Sequence, residues 1–166
     1  MSSGWLRTGA HFSACRTWRT LLWRVWDEQA PVINFLLLNP STADEAKNDP
    51  TVERCERYAR AWGYGTMLVT NVFAYRATDP ARMKAFANPV GPGNNQAILT
   101  AARMAQRVVA AWGNHAQHLQ RSDEVRALLE RARIPLYCLN LNRSGEPVHP
   151  LYQRKDLQPR PLPPAK

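Results

Sequence analysis

A chain of 166 residues is long enough for one domain that buries about two-thirds of its unfolded surface. It holds no apolar run near the roughly 20 residues that cross a bilayer, and no hydrophobic leader core between Met1 and Thr8. Lys and Arg number 22 against 13 Asp and Glu, a formal charge of +9, which favours a polyanionic partner through counterion release but does not by itself require one. The three cysteines, Cys15, Cys55 and Cys138, form no C-x-x-C pair, which argues against a structural zinc or iron–sulfur centre and points to a reducing cytoplasm.

Taken in chain order, Arg16 to Trp26 fits both helical and alternating patterns. Its β-branched and aromatic content tips it toward a hairpin strand. Val32 to Leu38 is a continuous apolar run that stops at Asn39-Pro40-Ser41, the mark of a central strand and a loop. Asp49 then caps a helix and Pro50 opens it, with Val52, Cys55, Ala59 and Trp62 on one face. Thr66 to Thr70 is the next strand, Gly93 to Ala105 a second helix, and Arg107 to Trp112 a third buried strand. Ser122 is placed to cap another helix, which turns Val125, Leu128, Leu129 and Ala132 inward. Pro135 to Leu139 reads as the last strand, and the Pro-rich tail from Gln158 to Lys166 as extended or disordered chain. Alternating strands and helices predict a single domain over residues 1–157, a three-layer α/β/α sandwich with a central, mainly parallel sheet.

In such a sheet the carboxyl ends of the strands share one edge, and ligands bind there. That edge would collect Asn39, Asn71, the turn Trp112-Gly113-Asn114 and the segment leading to His149. Asx-turns and helix caps explain most single asparagines at strand ends. Amides, an imidazole and helix N-termini in one cleft suit a polar planar ligand.

Four of these segments resemble motifs of the uracil-DNA glycosylase superfamily, and they occur in the same order. Leu38-Asn39-Pro40-Ser41 is similar to the Gly-x-Asn-Pro motif of the mismatch-specific type, whose asparagine positions the attacking water. Leu68 to Phe73 looks like the strand whose asparagine reads the base edge, which would be Asn71. Trp112 to Gln117 is similar to the Trp-Gly-x-x-Ala-Gln turn. His149-Pro150-Leu151-Tyr152 resembles His-Pro-Ser-Pro-Leu, which carries an electrophilic histidine and an intercalating leucine. More extensively, Asn39 to Asp44, Asp49-Pro50-Thr51 and Asn71 to Thr78 resemble the domain of unknown function 1643 family, across nearly the whole chain. The glycosylase resemblance implies DNA, single-stranded or as a mismatched duplex, as partner and an uracil-DNA glycosylase-like fold.

Breaking an N-glycosidic bond leaves positive charge on the sugar and negative charge on the base. His149 would hold the anionic base oxygen, while Asn71, Ser41 and Asn114 would bind the base edge. Phe73, Tyr64 or Tyr75 would stack on the base. Asn39 can align a water but cannot take its proton. Asp44 and Asp49 are therefore the candidate carboxylates: Asp49 reads first as a helix cap, and Asp44 has no comparable structural role. At the rim, Leu151 or Tyr152 would wedge into the stack, and Arg143, Arg154 and Lys155 would hold phosphates. His115 and His118 lie three apart without a third ligand, Gly91-Pro92-Gly93 lacks the phosphate-loop pattern, and neither metal nor cofactor is expected. A non-catalytic nucleic-acid-binding domain, or an enzyme of free nucleosides or nucleotides, fits the same residues.

Overall fold

The apolar run that starts at Val32 forms β3 (Val32–Leu37), the central strand of the computed structural model, which describes residues 4–164. Before it come β1 (Arg7–Phe12) and β2 (Arg19–Val25). After it come α1 (Pro50–Ala61), β4 (Thr66–Asn71), α2 (Pro80–Ala85), α3 (Asn94–Met104) and β5 (Arg107–Ala110). The chain then runs through a 3₁₀ segment (Asn114–Gln120) to α4 (Arg121–Arg131), β6 (Leu136–Cys138) and β7 (Arg160–Pro161). The strands form one mixed sheet in the order β1-β2-β4-β3-β5-β6-β7.

Side chains alternate across β3, as the pleat demands. Ile33, Phe35 and Leu37 share one core with Val52, Cys55, Tyr58 and Ala59 of α1. Leu36 and Leu38 share a second with Ile98 and Ala102 of α3 and Val125 and Leu129 of α4. Both faces of the central strands are therefore covered, which is why their sequences are apolar throughout rather than alternating. Phe35 is paired with Val69 on β4 and Val109 on β5.

The sheet is parallel only at its centre. Pairings of β4 with β3, β3 with β5 and β5 with β6 are parallel, whereas β1 with β2, β2 with β4 and β6 with β7 are antiparallel. The expected mainly parallel sheet is thus a four-stranded parallel centre flanked by antiparallel strands. The tail is extended and paired: Arg160 and Pro161 lie against Cys138 and Tyr137, and Leu162 packs on the second core. The sheet consequently continues past the expected boundary at 157, and β6 is not its last strand. Residues 1–3, 165 and 166 lie outside the described region.

Two local expectations fare differently. Asp49 caps α1, accepting from the Val52 N–H, with Pro50 in the first turn. Ser122 does not cap α4. Gln120 stands at that position in the left-handed region without a side-chain cap bond, and the Ser122 hydroxyl donates instead to Glu146 at 2.7 Å. No helix among the described residues is long and apolar enough to cross a membrane.

Connectivity then places a crevice. From β3 the chain crosses by α1 to β4 on one side, then returns past β3 by α3 to β5 on the other. The loops leaving β3 and β5 diverge, which opens a cleft at their carboxyl ends.

Candidate functional site

A cavity of about 550 Å³ occupies that cleft, within the range of small-molecule sites. Asn39, Ser41 and Asp49 line it from the segment after β3, Thr78 from that after β4, Gly113, Asn114 and His115 from that after β5, and His149 and Leu151 from that after β6. Asp49 is the one acidic side chain in this lining, and neither Lys nor Arg contributes to it.

Asn39 is held by its own amide. Its Nδ2 donates to the Ala77 carbonyl at 2.7 Å and to the Pro40 carbonyl at 3.1 Å, which ties the loop after β3 to the one after β4. Its Oδ1 accepts no hydrogen bond from the described residues, so a lone-pair acceptor is left for a water or a ligand. Asp49 is buried; its Oδ1 accepts from the Val52 N–H at 2.9 Å and its Oδ2 from the Ala43 N–H at 3.2 Å.

His149 is set by a backbone donor. The Leu151 N–H donates to His149 Nδ1 at 3.3 Å, so Nδ1 is unprotonated and the proton sits on Nε2. Burial holds the imidazole pKa below its ordinary value of 6.5; the Asp49 charge opposes that shift and His115 adds to it. At neutral pH the ring is therefore an uncharged Nε2–H donor.

Three contacts position the segment that carries it. Glu146 is buried and accepts from Trp112 Nε1 at 2.9 Å and from Ser122 Oγ at 2.7 Å. The Gly113 N–H donates to the Pro147 carbonyl at 2.9 Å. Gly113 has φ +73, and a Cβ there would make ordinary contacts with His149 Cβ at 3.6 Å and His149 N at 4.0 Å, so the backbone angle rather than crowding calls for glycine. Asn114 Oδ1 accepts from Asn142 Nδ2 at 3.2 Å and from Ser144 Oγ at 2.6 Å, which leaves the Asn114 Nδ2 donors free to meet a ligand. Ser41 shares a 3.0 Å hydrogen bond with Thr78.

Several residues named from the sequence lie elsewhere. Asn71 is 1 % exposed; its Oδ1 accepts from Arg19 Nη2 at 3.2 Å and its carbonyl from Asn94 Nδ2 at 2.8 Å. It braces the interior and does not line the cavity. Phe73 is buried with the α3 and α4 side chains, and Tyr64 lies in the α1 core. Tyr75 stacks on Phe86, ring centroids 3.9 Å apart. Asp44 has a structural role after all: its Oδ1 accepts from the Ala46 and Lys47 N–H groups, both at 2.9 Å. Those bonds, led by Ala46, hold its carboxyl below the ordinary range. It closes an Asx-type turn outside the cavity.

At the rim, Tyr152 is 95 % exposed with φ +66. It is the third residue of a turn closed by the Gln153 N–H and the Pro150 carbonyl at 3.4 Å, a place where that φ favours Gly or Asn. Arg143, Arg154 and Lys155 are exposed. Arg154 is paired with Asp156 at 2.7 Å, whereas Arg143 and Lys155 have no partner among the described residues. His115 lines the cavity while His118 packs on Phe73, so the two histidines do not converge.

The model of the family described as "Protein of unknown function (DUF1643)" matches residues 19–151. The chain belongs to the DUF1643 family. No curated protein and no solved structure matches it. The DUF1643 match runs from the start of β2 to Leu151. It takes in the parallel centre of the sheet and every cavity-lining residue except Gln153, and it leaves out β1 and β7. Within that DUF1643 region, Glu146 and Arg19 are contributors that the sequence did not mark, since nothing local distinguishes them from surface charges. The Asp49-Pro50 pair did mark a helix start, without showing that the cap faces a cavity.

Proposed function

We propose that this DUF1643 chain is a DNA glycosylase-like enzyme on a three-layer α/β/α scaffold of the uracil-DNA glycosylase kind. It hydrolyses the N-glycosidic bond of an unusual, modified or mispaired base. The observation that carries this reading is the neutral His149, with its proton on Nε2, in the same cavity as the unpaired Oδ1 of Asn39. A neutral donor stabilises the oxygen of a departing base without first losing a proton of its own, and an amide acceptor aligns water.

The other parts divide between cavity and rim. Asn114 Nδ2 replaces Asn71 as the group that addresses the base edge. Leu151 and the exposed Tyr152 stand where an apolar wedge would enter the stack, and Arg143 and Lys155 would meet phosphates. With no Lys or Arg in the cavity lining, phosphates stay outside, which favours a polynucleotide over a free nucleotide.

A second reading, a non-catalytic nucleic-acid-binding domain of the same fold, is favoured by one observation: Asn39 accepts hydrogen bonds but cannot accept a proton. Alkali-induced strand cleavage of duplexes with unusual bases separates the two. The wild type is expected to create alkali-labile abasic sites, and His149→Ala to do so about 10²-fold or more slowly, the usual effect of losing one such donor. Tight binding without cleavage of any duplex would favour the binding domain. Cleavage undiminished in His149→Ala would remove His149 from the chemistry.

A further inference from the structure

The Asp49 side chain does more than a helix cap requires. Capping needs one oxygen, and the Val52 N–H takes it; the other accepts from the Ala43 N–H. Each oxygen keeps a second lone pair, and the carboxylate stands in the cavity with Asn39 and His149. We propose that Asp49 is the catalytic carboxylate of this cavity, taking the proton of the water that Asn39 aligns and facing the positive charge that develops on the sugar. This rests on the glycosidic reading above and supplies the proton acceptor that Asn39 lacks.

The segment that presents Asp49 is fixed from behind by two fully buried arginines of β2. Arg19 Nη1 donates to the Ala43 carbonyl at 3.1 Å. Arg24 donates to the carbonyls of Asp44 at 2.7 Å and Lys47 at 2.9 Å and to Asn48 Oδ1 at 2.9 Å. Neither forms a direct ion pair with a carboxylate among the described residues, which is a costly state for a buried cation. Burial pushes the Arg19 pKa down to about 10, and the Asp49 charge is the first influence opposing it. On Arg24 the burial effect is opposed by the charges of Glu56, Asp44 and Asp49, in that order. The two arginines are thus positioning residues: they hold the loop by its carbonyls and place positive charge behind the Asp49 carboxylate. On the cavity side no Lys or Arg lies in the lining, so the Asp49 carboxylate is the nearest formal charge that a cationic sugar would face.

The step balances with water alone. The water oxygen bonds to C1′ as the C1′–N bond breaks, and that bond's electron pair leaves on the base. Asp49 accepts one proton of the water, and the His149 Nε2–H holds the base oxygen. The base takes up a proton as it departs and Asp49 gives its own back, leaving a free base and a sugar hydroxyl.

Asp49→Asn keeps the cap, because Asn caps a helix as well as Asp does, but sets an amide donor against the Ala43 N–H. The variant is therefore expected to fold with a lowered unfolding temperature, while single-turnover base release, read below that temperature, falls by about 10²–10⁴. A second measurement reads the charge without turnover. Abasic oligonucleotides carrying either a cationic pyrrolidine or a neutral tetrahydrofuran in place of the sugar are compared as ligands. The wild type is expected to prefer the pyrrolidine at least tenfold, and Asp49→Asn to bind the two equally. Equal release by wild type and Asp49→Asn, or an unchanged pyrrolidine preference, would leave Asp49 a cap only while the glycosidic reading stands. A wild type that releases no base and binds neither abasic strand better than intact DNA would end both.

Discussion

One backbone N–H, that of Leu151, determines what His149 can do. While Nδ1 accepts that bond, the ring presents only Nε2–H, and protonation of Nδ1 would break the contact. Because the folded pKa lies below the unfolded value, acid favours the unfolded chain. Below about 6.5 the unfolded chain binds a proton that the folded chain refuses. Stability should therefore be complete above that pH and decline as pH falls toward the lowered folded pKa. His149→Asn should flatten the decline in unfolding scans from pH 7 to 5; an unchanged slope would place the titration elsewhere. Tyr152 offers the opposite trade. Its left-handed backbone costs on the order of 1–2 kcal/mol in a residue with a Cβ, so Tyr152→Gly should raise stability by about 1 kcal/mol. A weaker affinity for duplexes with an unusual base in the same variant would mean that the ring, held at the cost of that strain, serves binding.

At the scale of elements, the site depends on how the segment after β6 is tied to β5 and α4. Glu146 is the tie, through Trp112 and Ser122. Glu146→Ala would strand a buried indole donor and a buried hydroxyl, a loss of about 3 kcal/mol to be read in urea unfolding. Base release should fall as well, since the segment carries His149. Such ties join residues remote in sequence, which is why the sequence did not show them. What it did show were local signals. The apolar run of β3 and the Asp49-Pro50 start of α1 were legible, and Asp79-Pro80 opens α2 with the same signal. β1 was hidden by Gly9, where the Trp23 ring leaves no room for a Cβ. β7 is two residues long and contains a proline; only its pairing with β6 makes it a strand. In the site, Asn39, Ser41, Asn114, His149 and Leu151 were legible because they sit at strand ends or in the turns beyond. Phe73 and Tyr75 were misplaced for a physical reason: past the last ladder bond the two-residue alternation stops, and nothing local fixes which way a side chain turns. Asn71 is still in the ladder, paired with Leu37, and its burial comes from Arg19 and Asn94, remote in sequence; Tyr64 precedes β4, at the opposite end of that strand from the cavity.

For the whole molecule, the excess of basic residues is spread outside the cavity. Affinity for DNA should then fall linearly with the logarithm of salt concentration. Arg143→Ala and Lys155→Ala should each lower that slope by about 1, and His149→Ala should leave it unchanged. Arg154, already paired with Asp156, should contribute less than either. Equal slopes in all variants would move the phosphate track to another face. In the proposed reading the chemistry and the charge are thus separate features, joined at the rim that carries Leu151 and Tyr152.

The most direct measurement is the mass balance of the reaction. Oligonucleotides carrying uracil, mismatched thymine, oxidised bases or hypermodified pyrimidines would be incubated with wild type and with His149→Ala, and both strand and supernatant weighed by mass spectrometry. Glycosidic hydrolysis predicts one strand that loses its base and gains a water, with the intact free base in solution, in the wild-type reaction alone. Strands of unchanged mass across every base, or a base altered while still attached, would contradict it.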